Sequence, residues 1–149
     1  MSDTHKAIEG FLKKHHVLTL ATQNQTSLWT CNCFYVYIPE LVVFVFTSDE
    51  NTRHIKDALK NPQVAGSVVL ETKIIGKIQG VQFSGILCRP QGSDLEKYKK
   101  AYLKRFPYAR FMLAELWYVK INYFKFTDNT LGFGKKLVWE REETNNDVL

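Results

Sequence analysis

The stretch FTSDENTRHIKDALKNP, Phe46 to Pro62, lies where an apolar run stops, polar residues follow and a short helical pattern begins. Leu41 to Phe46, ahead of it, is apolar throughout and reads as a buried strand. Thr47 and Ser48 then offer hydroxyls, Asn51 and Thr52 are helix-capping types, and Arg53 falls in the first turn of a helix over Thr52–Lys60. Ile55 and Leu59 are spaced as an i,i+4 core pair, and Asn61-Pro62 ends the helix. A helix start presents unpaired N–H groups and the positive end of its dipole. Arg53 can add a two-pronged fork to a phosphate there, with hydroxyls of Thr47, Ser48 and Thr52 completing the shell. The same residues also describe a capped helix whose arginine is solvated or pairs with Asp49 or Glu50. The local pattern leaves both readings open, and the phosphate reading requires Asp49 and Glu50 to point away.

Upstream, Asp3–His15 places Ala7, Ile8, Phe11, Leu12 and His15 on one face of a helix that Ser2 or Asp3 can cap. Val17–Thr22 reads as a strand, QNQTS as a turn, and Leu28–Ile38 as a long strand that turns at Pro39-Glu40 into the apolar run. These three strands form a meander. Downstream come a strand at Val64–Leu70, a loop or wide hairpin through ETKIIGKIQG, and a strand at Val81–Cys88. A helix over Asp94–Phe106 follows, broken by Pro107, then a short helix over Tyr108–Ala114 and strands at Leu116–Phe126 and Phe133–Arg141. About seven mostly antiparallel strands with two to four inserted helices make a mainly β domain, a closed or partly closed barrel over residues 1–142, with 143–149 a disordered tail.

The chain has 149 residues, 45% hydrophobic, which suffices for one core without disulfide or metal staples. The net charge of +5 permits an anionic partner, but the basic residues gather mainly in helical patterns, where they read as solvated faces. A nucleic-acid-binding barrel would rest on charge and aromatic content alone, so no nucleic-acid partner is expected. No stretch approaches the length of a membrane span, and an odd count of three cysteines points to a reducing, cytoplasmic setting. Cys31 and Cys33 share one face of their strand. No second Cys/His pair stands at zinc-finger spacing, so no metal is expected and the two thiols read as small buried apolar groups. No nucleophile-base-acid triad, P-loop or dinucleotide glycine motif is present.

The order of strand, Thr47-Ser48, Thr52-Arg53, helix and Asn61-Pro62, with the later GVQFSG of Gly80–Gly85, resembles the pyridoxamine 5'-phosphate oxidase-like FMN-binding split barrels. VQFSG together with LGFGKKLVW is most similar to the YhbP-like branch of that superfamily. The resemblance spans nearly the whole chain and implies a split antiparallel barrel and a homodimer with FMN at its interface. By it, Thr52 and Arg53 hold the FMN phosphate, Ser48 assists, and Thr47 lies near the ribityl chain or ring. Asn32 and Cys33 then face the isoalloxazine, Gln79 or Gln82 is the ring-binding glutamine, and Lys135 reaches the ligand from the second subunit. Asn32 and Tyr37 replace basic residues of the oxidases, and His54 replaces a lysine, which weighs against the pyridoxamine-phosphate reaction. The expected function is FMN-dependent electron or hydride transfer to an unknown small molecule. The alternative is a non-enzymatic flavin- or haem-binding module on the same fold.

Overall fold

The computed structural model describes residues 1–111 and 114–143. The elements run α1 (Asp3–Lys14), β1 (Val17–Gln23), β2 (Leu28–Ile38), β3 (Val43–Ser48), α2 (Arg53–Lys60), β4 (Gln63–Val69), β5 (Gln79–Cys88), α3 (Gly92–Arg105), β6 (Glu115–Asp128) and β7 (Lys136–Glu140). All pairings are antiparallel, in the order β3-β2-β1-β4-β5-β6-β7, and β3 also pairs with β6. That last pairing closes β1–β6 into a six-stranded barrel, so the fold is the mainly β split barrel expected from the sequence. β6 serves two partners along one edge: its first half, Glu115–Lys120, pairs with β3, and Tyr123–Thr127 pairs with β7.

The apolar run before the opening motif enters the sheet only at Val43, because Leu41 and Val42 form a turn with Val42 at φ 54°; from Val43 on, this closure explains it. Phe44 and Phe46 point into the barrel with Tyr35, Trp117, Val119 and Phe124. Val43 and Val45 point outward, where Tyr98 and Tyr102 of α3 cover them. A strand buried on both faces has no polar positions, so it reads as continuous rather than alternating. α1 packs Ile8, Phe11 and Leu12 into the core, with Ser2 accepting a 3.2 Å bond from the His5 amide as its cap. Gly66 and Gly85 are required by close approach: a Cβ would stand 2.2 Å from the Thr19 carbonyl oxygen at the first and 2.3 Å from that of Lys120 at the second.

Several expectations need correction. Leu59 is 55% exposed, and Ile55 and Ala58 form the inner face of α2 instead. On α1, His5 is buried and bonds the Tyr37 hydroxyl at 2.7 Å, while Ala7 only flanks the core. Phe133–Lys135 is not strand, because Gly132 and Gly134 take positive φ, and β7 begins at Lys136. After Pro107 the chain forms a 3-10 turn over Pro107–Phe111; the remainder of that expected helix falls partly on residues 112–113, outside the described residues, as does the tail from 144.

Candidate functional site

β3 is shorter than β2, and the site is built on that difference. The two strands pair from Ile38↔Val43 to Tyr35↔Phe46; beyond that β3 parts from β2, with Thr47 and Ser48 still paired to β6 before the chain enters α2. β2 continues back to Leu28 with only β1 paired to it among the described residues. The Tyr35 amide donates toward β1, to the His16 carbonyl at 3.0 Å. By strand alternation, the amides of Phe34 and Asn32 face the side that β3 has vacated. A cavity of about 550 Å³ opens there. Its walls are the Asn32–Phe34 edge, Thr47, Ser48 and His54, and its cover is Tyr102 and the Arg105–Ala109 turn.

Polar groups gather on one wall. His54 Nε2 lies 2.7 Å from Ser48 Oγ and 3.2 Å from Thr52 Oγ1, and the two hydroxyls are 3.4 Å apart. Thr52 is the N-cap of α2 but makes no side-chain capping bond; its hydroxyl donates to the Asp49 carbonyl at 2.8 Å. The amides of the first helical turn are therefore left for another acceptor. Thr47 donates to the Tyr102 hydroxyl at 3.2 Å, which ties the floor of the cavity to its cover. The indole of buried Trp117 donates to the Ser48 carbonyl at 2.9 Å and fixes the point where β3 departs.

The acidic residues of the motif do face other partners. Asp49 accepts the Asn51 amide at 2.7 Å, and Glu50 pairs with Arg89 at 3.0 Å. Arg53 does not line the cavity. Its guanidinium lies 4.2 Å over the Trp29 ring, donates to Ser27 Oγ at 2.8 Å, and stands 3.6 Å from the buried carboxylate of Asp57.

Cys31 and Cys33 come within 3.8 Å of each other, and a ring nitrogen of His54 joins them in a cluster whose ligand atoms all lie within 4.8 Å. A hydrogen bond from Cys33 lowers the Cys31 pKa, and His54 lowers it further, against the burial that raises it. The same bond raises the Cys33 thiol, and burial adds to that.

Of the sequence-derived residues, the fold brings Asn32, Cys33, Thr47, Ser48 and His54 onto the cavity, with Thr52 bonded behind them. Gln79, Gln82 and Lys135 are elsewhere in this chain. Gln79 pairs with Asp128 and Gln82 with Lys125, near one end of β6, and the Lys135 carbonyl accepts the Asp128 amide. Ser48 pairs with Glu115 at the other end. Sequence reasoning missed the cover from α3 and the His54–cysteine contact. Tyr102 carried a signal only as a member of the expected helix over Asp94–Phe106, and nothing in the spacing linked Cys31 to His54.

Comparison with other proteins places this architecture. No family model matches the chain. Among solved structures, a heme-binding protein from Mycobacterium smegmatis superposes with a TM-score of 0.79 at 16% identity, over 94% of this chain and 59% of that one. A NimC/NimA family protein from Clostridium acetobutylicum gives 0.66 at 18% identity, over 91% and 92%. A putative pyridoxamine 5'-phosphate oxidase from Listeria innocua gives 0.66 at 10%, over 83% and 98%. At such identities the likeness is one of fold. The sequence relatives are nearer: a UPF0306 protein of Cronobacter sakazakii is 47% identical over 141 residues, 95% of this chain and 98% of that protein. The UPF0306 protein YhbP of Escherichia coli is 42% identical over 139 residues, 93% of this chain and 99% of that protein. With near-complete coverage on both sides, the chain belongs to the UPF0306 family, on a split barrel of the pyridoxamine 5'-phosphate oxidase type.

Proposed function

We propose that this protein binds FMN, with the phosphate at the first turn of α2 and the ring against the free edge of β2, and that the bound flavin exchanges electrons with a small molecule. The observation that carries this is the convergence of Ser48, Thr52 and His54 at a helix start, on the wall of a cavity whose facing edge has unpaired strand amides. An anion is favoured at such a start by free N–H groups, the helix dipole and hydroxyl donors together. Phe34, Phe106 and Tyr108 supply apolar surface for an aromatic ring, and about 550 Å³ lies within the range of cofactor sites. The donor set therefore fits the group. Flavin supplies the electron transfer itself; the residues here bind, orient and shield it.

The proposal includes a homodimer. Phe34 is 59% and Tyr108 85% exposed at the cavity rim, an apolar margin that a second subunit would cover. Such a partner would also be the route by which Gln79, Gln82 or Lys135 meets the ligand.

The test is to add FMN to the purified protein and follow flavin absorbance through gel filtration with light scattering. Flavin bands that co-elute with a dimer support the proposal. A protein that retains no flavin at saturating FMN refutes it. Ser48→Ala should weaken FMN more than riboflavin, and equal losses would remove the phosphate role. A second reading, haem in the same cavity, is favoured by one observation: the imidazole of His54 on the wall. It predicts a haem absorption band that His54→Ala shifts or abolishes.

A further inference from the structure

We infer that Cys31, Cys33 and His54 form a zinc site, with two thiolates and one imidazole as protein ligands and a fourth position open to the cavity. Two Zn–S bonds of about 2.3 Å at a tetrahedral angle place their sulfurs about 3.8 Å apart. The sulfurs of Cys31 and Cys33 are 3.8 Å apart as the chain folds, without rearrangement. The third ligand atom, from His54, is within 4.8 Å of both, against about 3.6 Å for sulfur and nitrogen on one tetrahedral zinc, so the imidazole closes in by up to about 1 Å on binding.

The ligands stand on rigid supports. Successive side chains on one face of a strand fix the two sulfurs side by side, and β2 is held by β1 along this whole segment. His54 sits in the first turn of α2, its ring held through Nε2 by Ser48 and Thr52. Hydroxyls around a ligating imidazole are the kind of outer partner that orients it. Two thiolates with one imidazole select a borderline or soft ion over magnesium or calcium. Cys33 and His54 both line the cavity, so the unfilled position faces the space where a small molecule would enter. Three protein ligands plus an open position is the pattern of zinc sites that bind an exchangeable group.

The site shares His54, Cys33 and the cavity with the flavin proposal, so both are read on one preparation. Reduced, metal-free protein is titrated with zinc against a chromophoric chelator, and in parallel with cobalt. One zinc per chain is expected, and cobalt should give thiolate-to-metal charge-transfer absorption with tetrahedral visible bands. Cys31→Ser should lose more than the roughly 10–100-fold that removal of an outer partner costs, while Cys88→Ser should bind as the parent does. Failure of the folded parent to hold zinc against the chelator overturns the inference. So does retention by Cys31→Ser, or loss in Cys88→Ser. Should Cys31→Ser not fold, the cobalt spectrum of the parent decides, and absence of thiolate charge transfer is the overturning result. FMN retention, measured alongside, reports separately on the flavin site.

Discussion

Replacing Gly66 by alanine tests the closure of the barrel. Gly66 lies on β4 opposite Leu20, in the β1–β4 pairing, which has only three registered pairs: Thr19↔Ser67, Leu20↔Gly66 and Ala21↔Ala65. An added Cβ would stand 2.2 Å from the Thr19 carbonyl oxygen and 2.4 Å from Cζ of Phe83. Phe83 is buried in the core, so its ring has little room to swing. The carbonyl belongs to the ladder, and moving it parts β1 from β4. Overpacking of a filled core costs about 1–3 kcal/mol, and a clash with backbone belongs at the upper end. At about 3 °C per kcal/mol for a chain of this size, roughly 3 kcal/mol lowers the melting temperature by about 9 °C. Gly10→Ala is the control: it lies within α1, a Cβ there meets nothing within 4 Å, and alanine should stabilise by about 0.5–1 kcal/mol. Circular dichroism melts of both variants make the comparison. A Gly66→Ala midpoint within about 2 °C of the parent, on the same scale, would refute the close-approach argument.

Other outcomes follow from single contacts. His5 is buried against Tyr37, and burial lowers its pKa, so the unfolded chain takes up a proton first as the solution is acidified. Its contribution is full above the unfolded value of 6.5 and is lost as pH falls from there through the lower native pKa. The urea-midpoint gap between parent and His5→Phe should therefore shrink from pH 7 to pH 5, and a constant gap would contradict it. Arg53→Ala should cost roughly 1 kcal/mol, because Asp57 loses its cation in a pair that is partly exposed. Asp57→Asn in the same chain should recover most of that, and a double variant no more stable than Arg53→Ala would show that the pair is not the cause.

The fold was legible where chemistry and chain order coincide. Val43–Phe46 has no polar position because both faces of β3 are covered there, and that feature survives in a one-dimensional reading. The inner face of α2 was not legible. Ala58 and Leu59 are three and four residues from Ile55, and helical spacing allows either. The small side chain of Ala58 lets the helix lie close to the strands, and Leu59 then turns to solvent. The start of β7 was missed for a different reason. Gly132 and Gly134 at positive φ bend the chain away from the sheet, and apolar Phe133 between them is 85% exposed.

The site divides in the same way. Thr47, Ser48, Thr52 and His54 follow one another within eight residues, so the hydroxyl cluster could be read directly. Tyr102 and Cys31 reach it only through packing of α3 and through the free edge of β2. Arg53 is the instructive member, because the motif suggests a phosphate for it and the fold gives it Trp29, Ser27 and Asp57 first. To meet a phosphate, its guanidinium would give up the bond to Ser27, which its own charge already places at about 1.5–3 kcal/mol, along with its place over Trp29. Much of what the phosphate contact would supply is therefore offset by charge-assisted contacts that Arg53 already makes. The fixed first turn of α2 and the Ser48–Thr52–His54 cluster must therefore carry most of any phosphate recognition. Arg53 earns its place chiefly by neutralising Asp57 and holding α2 against β2, which keeps those groups where they are.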